Sequence, residues 1–594
     1  MIWYVSLVLT VILFAVTLIV YRFLCGKKFK NLTIVHAAMF FCFAGTVIMC
    51  IPPILVLYKA ADVNVVSAAV MASAKAIKVF GGDAIFDDIL DHFDVIPAGI
   101  AHLYVGMSLI IQILAPLCTV SVVLSLLKNV SAYWSYIIRY NKQTYIFSDL
   151  NEKSYALAQS IRKTDKKSVI VFTDIFDEDG SVSELVKNVK KLGSICFMKD
   201  LLAVDFKRHS ANKKVIFLLM SENEVLNTEH ALKLIDKYKN RDNTDIYVMS
   251  RQPECEILLS SADKGSVKVR RFSESVSLIS RIFYDNEMDI FGSAVDCEGD
   301  ERLVSALVVG MGSIGKETVK TLSWFCQMDG FRVRINAFDA DELCEERFTA
   351  SAPELMDKRY NGTELPGEVR YDIKIHSGVQ ADTNTFIEEV KKIKDITYCM
   401  VSLGEDELNI RTAVELRTLF ERMGIHPFIH AVVYSTQQTN ALKGLKNYSG
   451  QEYDIHFIGD IESFFSKDII FGTQLEAEAL ERHLKWGKEE DFWNYEYNYR
   501  SSVAAAVHLK ARISCGIDAS AKAENELTDE ERTALENLEH RRWNAYMRSE
   551  GYIYSGSPDK SSRNNLGKMH HNLVPYEVLS DDDKRKDSKV GTLK

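Results

Sequence analysis

Six residues in the middle of the chain have the types and spacing to cradle a phosphate. The apolar run Leu307-Val308-Val309 leads into Gly310-Met311-Gly312-Ser313-Ile314-Gly315, and a helical pattern follows from about Lys316 to Phe325. A second apolar run, Val333–Phe338, ends on Asp339, 24 residues beyond Gly315. Glycines in such a turn let a pyrophosphate approach the helix N-terminus, where free N–H groups and the helix dipole favour negative charge. The distal carboxylate accepts from ribose hydroxyls. The candidate cofactor-binding residues are therefore Gly310, Gly312, Ser313, Gly315 and Asp339, for NAD(H) or another adenine nucleotide. The alternative is an inherited fold with an empty site. Gly310, Gly315 and Lys316 also fit GxxxxGK, but Glu317 follows where magnesium needs a Ser or Thr, which argues against ATP hydrolysis. No Tyr-x-x-x-Lys or His–Asp pair is placed for hydride transfer, and His426 and His430 read as structural. The chain is expected not to be an enzyme, and no residue is assigned a catalytic role.

A second constellation lies in residues 527–594. Leu535–Trp543 reads as an amphipathic helix, begun by Thr528 as cap with Glu531 three residues on. Gly551-Tyr552-Ile553-Tyr554 turns the chain, and Lys568-Met569-His570-His571-Asn572-Leu573-Val574-Pro575-Tyr576 follows, before an acid-rich helix. Arg541, Arg542, Trp543 and Tyr552, with Tyr554, Lys568, His570 and Tyr576, combine rings that stack a base with cations that pair with phosphate. The plainer reading makes Trp543, Leu573, Pro575 and Tyr576 a small hydrophobic core.

These residues need a scaffold. Between 131 and 470, β-type runs alternate with helical patterns, the mark of doubly wound α/β folds. In a first domain, 131–290, strands are expected at Thr144–Phe147, Val169–Phe172, Val215–Met220 and Ile246–Met249. Its first turn, Ser148-Asp149-Leu150-Asn151, lacks the glycines for phosphate approach, and Asp174 reads as a loop acid. The second domain, 300–470, carries GxGxxG and further strands at Thr397–Ser402, Pro427–Tyr434 and Ile455–Ile458. A helical connector, 471–526, holds the aromatic cluster Phe492, Trp493, Tyr495, Tyr497 and Tyr499. At 594 residues, 47% apolar and 26% charged, the chain is a folded multidomain protein; its net charge of −10 excludes broad capture of nucleic-acid polymers.

Residues 1–130 are of a different kind. Uncharged runs at Ile2–Tyr21, Asn31–Tyr58 and Val95–Leu127 each reach the roughly 20 residues that cross a bilayer. No basic region precedes the first run, so it reads as a retained span rather than a signal peptide. Arg22, Lys27, Lys28 and Lys30 belong inside, and the loop with Asp62, Asp83, Asp87, Asp88, Asp91 and Asp94 belongs outside. This places the N-terminus outside and the C-terminal domains in the cytoplasm, at the plasma (inner) membrane. Eleven cysteines without a CxxC pair suit a reducing compartment and give no metal site. Ser108, Gln112 and Thr119 share one face of the third span. They either line a pore formed by several copies or supply hydrogen bonds between helices. No TVGYG filter is present, and the 59–96 loop reads as a surface or re-entrant helix.

Residues 144–460 resemble the regulatory NAD-binding (RCK, TrkA-N-type) domains of bacterial potassium channels and Trk-type uptake systems, here in duplicate. The resemblance rests on Gly310, Gly312, Gly315 and Asp339 in the second copy and on fold pattern in the first. Residues 527–594 resemble the ryanodine-receptor repeat through His540-x-x-Trp543, Gly551-Tyr552-x-Tyr554 and His570-x-x-Leu573-Val574-Pro575-Tyr576. The family usually has Gly-Trp-x-Tyr-Gly at the second of these. These resemblances imply a ligand-sensing, non-enzymatic membrane effector or ion channel, homo-oligomeric, with a nucleotide-derived ligand and membrane lipid as partners, in antiphage signalling settings. The alternatives are a membrane-anchored NAD(P)-dependent oxidoreductase and a scaffold that binds no nucleotide.

Overall fold

The computed structural model describes residues 1–24, 30–83, 95–139, 141–175, 180–206, 213–297, 299–357, 359–360, 363–364, 369–444, 446, 450 and 453–593. Lys27, Lys28, Asp87, Asp88, Asp91 and Asp94 lie outside these residues. The chain forms two compact units, one of which holds residues 1–138.

In that unit, helices Ile2–Leu24, Lys30–Leu57 and Ala101–Ile138 each contain a stretch long and apolar enough to cross a membrane: Ile2–Ile19, Ala37–Leu57 and Ala101–Val123. The third helix runs unbroken to Ile138, well past its apolar window. A shorter helix, Val65–Val79, starts at Asn64, whose side chain accepts from the Ser67 N–H. It buries Ala68, Ala72, Ala76 and Val79. Alanine every fourth residue leaves one face without bulk, which allows close helix packing. Its neighbours in the core include Phe41, Met49, Ile54 and Ile111.

Among the described residues, the second unit contains two large parallel sheets. In the first, Thr144–Phe147 lies between Val169–Phe172 and Val215–Leu219, all in register from Thr144. Ile195–Cys196 adds to one edge, and Thr244–Met249 and Lys268–Phe272 to the other, giving sequence order 3-2-1-4-5-6. The second sheet repeats that order with Arg302–Val309 first, then Phe331–Asp339, Tyr371–Ser377, Tyr398–Val401, Phe428–Val432 and Ile455–Ile458. A short strand, Val295–Asp296, pairs antiparallel with Arg302–Val309. Both sheets are compatible with Rossmann-like folds. Their central strands are apolar runs buried on both faces, as parallel sheets covered by helices require.

The two sheets also share a clamp. After the fourth strand of the first sheet, Asn227 accepts from the Ser221 N–H through Oδ1 and donates through Nδ2 to the carbonyls of Ser221 and Met249. After the equivalent strand of the second, Asn409 accepts from the Leu403 N–H at 2.6 Å and donates to the Val432 carbonyl at 2.9 Å. Each asparagine is fully buried, four residues into its helix, and ties the fourth strand's loop to the fifth strand. Acids one turn earlier act alike: Glu224 accepts from the Arg251 N–H, and Asp406 from the N–H groups of Tyr434 and Ser435.

Helices Thr473–Leu484, Glu489–Asn494 and Glu496–Ser514 lead to Asp529–Ser549, which begins in a capping box of Thr528 and Glu531. This last helix packs on Ser313–Phe325, where Trp324 meets Tyr546 edge-on at 6.0 Å. Asn409→Ala leaves the half-buried Leu403 N–H and the buried Val432 C=O without the amide's bonds. At about 1–3 kcal/mol for each of the two unpaired groups, urea unfolding should report a loss of roughly 2–6 kcal/mol. A loss near zero would mean that the clamp carries no stability.

Candidate functional site: a glycine-walled cavity on the second sheet

The three glycines after the first strand of the second sheet serve different needs. Gly310 has φ +91°, and a Cβ there would meet the Ser402 carbonyl oxygen at 2.4 Å. A Cβ on Gly315 would lie 1.8 Å from the Gly310 carbonyl oxygen, so this glycine sets how closely helix and strand pack. A Cβ on Gly312 would meet nothing within 4 Å. Gly312 is the N-cap of helix Ser313–Phe325, and no side chain caps it. The helix N-terminus therefore faces open space with its first N–H groups available.

That space is a cavity of about 630 Å³, in the range of small-molecule sites. Gly310, Gly312 and Ser313 form one wall, and Asp339, Ser402 and Gly404 others. It lies beyond the carboxyl ends of strands one and four, where the strand order reverses and doubly wound folds bind ligands. Asp339 is half-buried on the rim. Its Oδ2 accepts from the Met311 N–H at 2.6 Å and its Oδ1 from the Asp341 N–H at 2.8 Å, so the loop itself aims the carboxylate. Each oxygen keeps lone-pair capacity for a ribose hydroxyl. Gly315 does not line the cavity; its role is the close packing of helix on strand. The residues present fit an adenine dinucleotide. Sequence reasoning missed Arg251, Asp382 and Tyr434, which also line the space but come from loops far away in the chain.

The same position in the first sheet is closed by side chains. Asn151 caps helix Glu152–Thr164 through a capping box with Ser154, and its amide donates to the Met220 carbonyl at 2.7 Å. Ser148 Oγ accepts from the Met220 N–H. The helix N-terminus is thus capped, and strands one and four are bridged where a phosphate would enter.

A smaller cavity, about 160 Å³, lies in the C-terminal region. Arg542, Trp543 and His570 line it; Arg541, Tyr552, Tyr554, Lys568 and Tyr576 do not. Arg541 instead donates to Asp329 at 2.6 Å, the Lys568 ammonium to the Glu550 carbonyl, and the Tyr576 hydroxyl to Glu536. Tyr552 is buried, and the Tyr554 N–H donates to Glu354. Arg542 is 1% exposed and shares the Glu539 carboxylate with Arg512, itself buried. Burial opposes the charge of Glu539, but the two guanidiniums hold its carboxyl below the usual range. One carboxylate between two guanidiniums leaves excess positive charge, and Arg542 Nη1 has no partner. Arg482, Trp486 and Tyr497 from the connector, with Lys560 and Arg563, complete a cationic, aromatic wall, faced by Asp583 and Asp587.

In the membrane unit, Ser108 is buried and donates to the Tyr104 carbonyl at 2.9 Å. Thr119 donates to the carbonyls of Phe80 at 3.0 Å and Ala115 at 3.2 Å. Gln112 is half-buried and its Oε1 has no partner. Ser108 and Thr119 thus bond within the chain's own helices. In comparisons with known proteins, no family model and no curated protein matches the chain.

Burial holds His570 near a pKa of about 2 and His430 near about 3, and pushes His508 well below its ordinary value. All three are neutral in the folded protein near pH 6, whereas the unfolded chain takes up protons below about 6.5. Their contribution to stability is therefore complete above pH 6.5 and falls as pH drops, by up to about 1.4 kcal/mol per pH unit for each histidine. Melting between pH 7 and 5 should show this fall, and His570→Gln should lessen its slope. A slope unchanged by that substitution would contradict the assignment.

Proposed function

We propose that the chain is a membrane-embedded, nucleotide-sensing effector or ion channel of the plasma membrane, and not an enzyme. Its α/β domains and C-terminal region lie in the cytoplasm. The observation that carries this reading is the cavity above Gly312, with an uncapped helix N-terminus on one wall and Asp339 on its rim. A dinucleotide such as NAD(H), or another adenine nucleotide, suits it: pyrophosphate on the helix N-terminus, ribose on the carboxylate. The cationic, aromatic cavity of the C-terminal region, which resembles a ryanodine-receptor repeat, suits a second, nucleotide-derived ligand of the kind that signals during phage infection. Ligand binding to helix Ser313–Phe325 is transmitted to Asp529–Ser549 packed on its other side, and through residues 131–141 to the third span. The three spans found among the described residues do not enclose a pore, so the working form is a homo-oligomer. A ligand that binds open and closed states with a difference of about 3–5 kcal/mol shifts their populations strongly.

Titration of the full-length protein in detergent with NAD(H), ATP, ADP-ribose and cyclic oligonucleotides tests the reading. Gly312→Asp places a carboxylate in the phosphate position, so binding at the larger cavity should fall by at least about tenfold, one 1.4 kcal/mol step. The fold should be retained, since nothing occupies that space. Arg563→Glu should weaken only a ligand of the C-terminal cavity. If no nucleotide binds the parent protein, the sensing reading fails and a scaffold remains.

A further inference from the structure

Helix Val65–Val79 has 15 residues. At 1.5 Å per residue it is about 22 Å long, too short for a hydrocarbon core of roughly 30 Å. Yet it does not sit clear of the spans. Ala68, Ala72 and Val79 belong to one buried cluster with Phe41, Cys42, Met49 and Ile54, all within the apolar window Ala37–Leu57. At its far end, the Phe80 carbonyl accepts from Thr119, inside the window Ala101–Val123. The helix therefore runs alongside the spans and ends at membrane depth.

The backbone just past Val79 is unlike anything that faces lipid. The Gly81 N–H bonds back to the Lys78 carbonyl at 2.9 Å and the Gly82 N–H to that of Val79 at 3.0 Å; Gly82, at φ +92°, then leaves the helix. Lys78, Gly81, Gly82 and Asp83 are all exposed in the single chain. Non-helical backbone at membrane depth is tolerated only where it is buried in protein or lines water. An ammonium and a carboxylate there carry the same restriction. Beside them, the outward face of the helix is apolar: Val66, Val70 and Ile77 are 67–73% exposed.

We propose that Lys78–Asp83 lines a water-filled path at membrane depth between copies of the chain, while the adjoining Val66–Val70–Ile77 face meets lipid. The path suits a small hydrated ion, which meets an ammonium, exposed backbone and a carboxylate within six residues. This rests on the channel reading and gives it a location. Of the polar stripe Ser108–Thr119, Thr119 ties the third span to the Phe80 carbonyl, and Ser108 bonds within its own helix.

The test uses full-length protein in liposomes, with Lys78→Cys, Asp83→Cys and, as a lipid-facing control, Ile113→Cys, which replaces a residue 64% exposed on the third span. Each is compared with the parent for its rate of reaction with a charged, membrane-impermeant thiol reagent. A fluorophore on Ile77→Cys, quenched by lipids brominated near mid-chain, reports depth. The expected result is rapid labelling at 78 and 83, labelling about 100-fold slower at 113, where a thiolate would have to enter hydrocarbon, and quenching at 77. Slow labelling at 78 and 83 overturns the proposal. So does rapid labelling without quenching at 77, which puts the helix outside the bilayer. Ion flux is measured separately: a hydrated path without nucleotide-dependent flux defeats the gating reading alone.

Discussion

The architecture of the second unit depends on one close approach. Residue 315 must be glycine because any Cβ would lie 1.8 Å from the Gly310 carbonyl oxygen, and residue 310 must be glycine because its Cβ would strike Ser402. These contacts press helix Ser313–Phe325 against the first strand and fix the direction of its N-terminus. The helix then has two duties. Its first turn opens on the cavity, while Trp324 and Phe325 at its other end pack against Tyr546 and Phe283. A side chain at either glycine would shift both.

Charge pairs surround the far side of this helix. Arg500 and Glu550 form a two-pronged pair at 2.6 and 2.9 Å, and Arg271 meets Glu496 at 2.6 Å. Burial opposes the charge on Glu550, yet Arg500 holds its carboxyl below the ordinary range. Such pairs add little net stability over apolar packing, but removing one partner leaves a buried charge uncompensated and is costly. Glu317, the residue that spoils the GxxxxGK reading, lies with Arg500 and Glu550 on one crevice. In the proposed mechanism it belongs to the transmission face of the helix rather than to the phosphate face.

Much of the fold was legible in the sequence because central parallel strands are unbroken apolar runs. Of the parallel strands in the two large sheets, those that escaped, Ile195–Cys196, Lys268–Phe272 and Tyr371–Ser377, lie at sheet edges. In Lys268-Val269-Arg270-Arg271-Phe272 the apolar signal is lost because two arginines stand in the strand, buried through their pairs with Glu476 and Glu496 of the connector. Gly310, Gly312 and Asp339 were legible for the opposite reason: one strand–turn–helix unit holds the glycines and the next strand brings the acid. The C-terminal cavity was only partly so. Arg482, Trp486 and Tyr497 reach it from the connector, and Asp583 and Asp587 from the last helix, separations at which no local pattern survives. The clamps of Asn227 and Asn409 escaped because a buried asparagine within a helix has no distinctive spacing.

In the proposed mechanism one helix both receives the nucleotide and passes its arrival to the C-terminal region. Amide hydrogen exchange on the full-length protein, with and without NAD(H) or the best-binding adenine nucleotide, tests it most directly. The expected result is protection in Ser313–Phe325 and, together with it, changed exchange in Asp529–Ser549, both lost in Gly312→Asp. Protection confined to the cavity, with Asp529–Ser549 unchanged at saturating ligand, would contradict it.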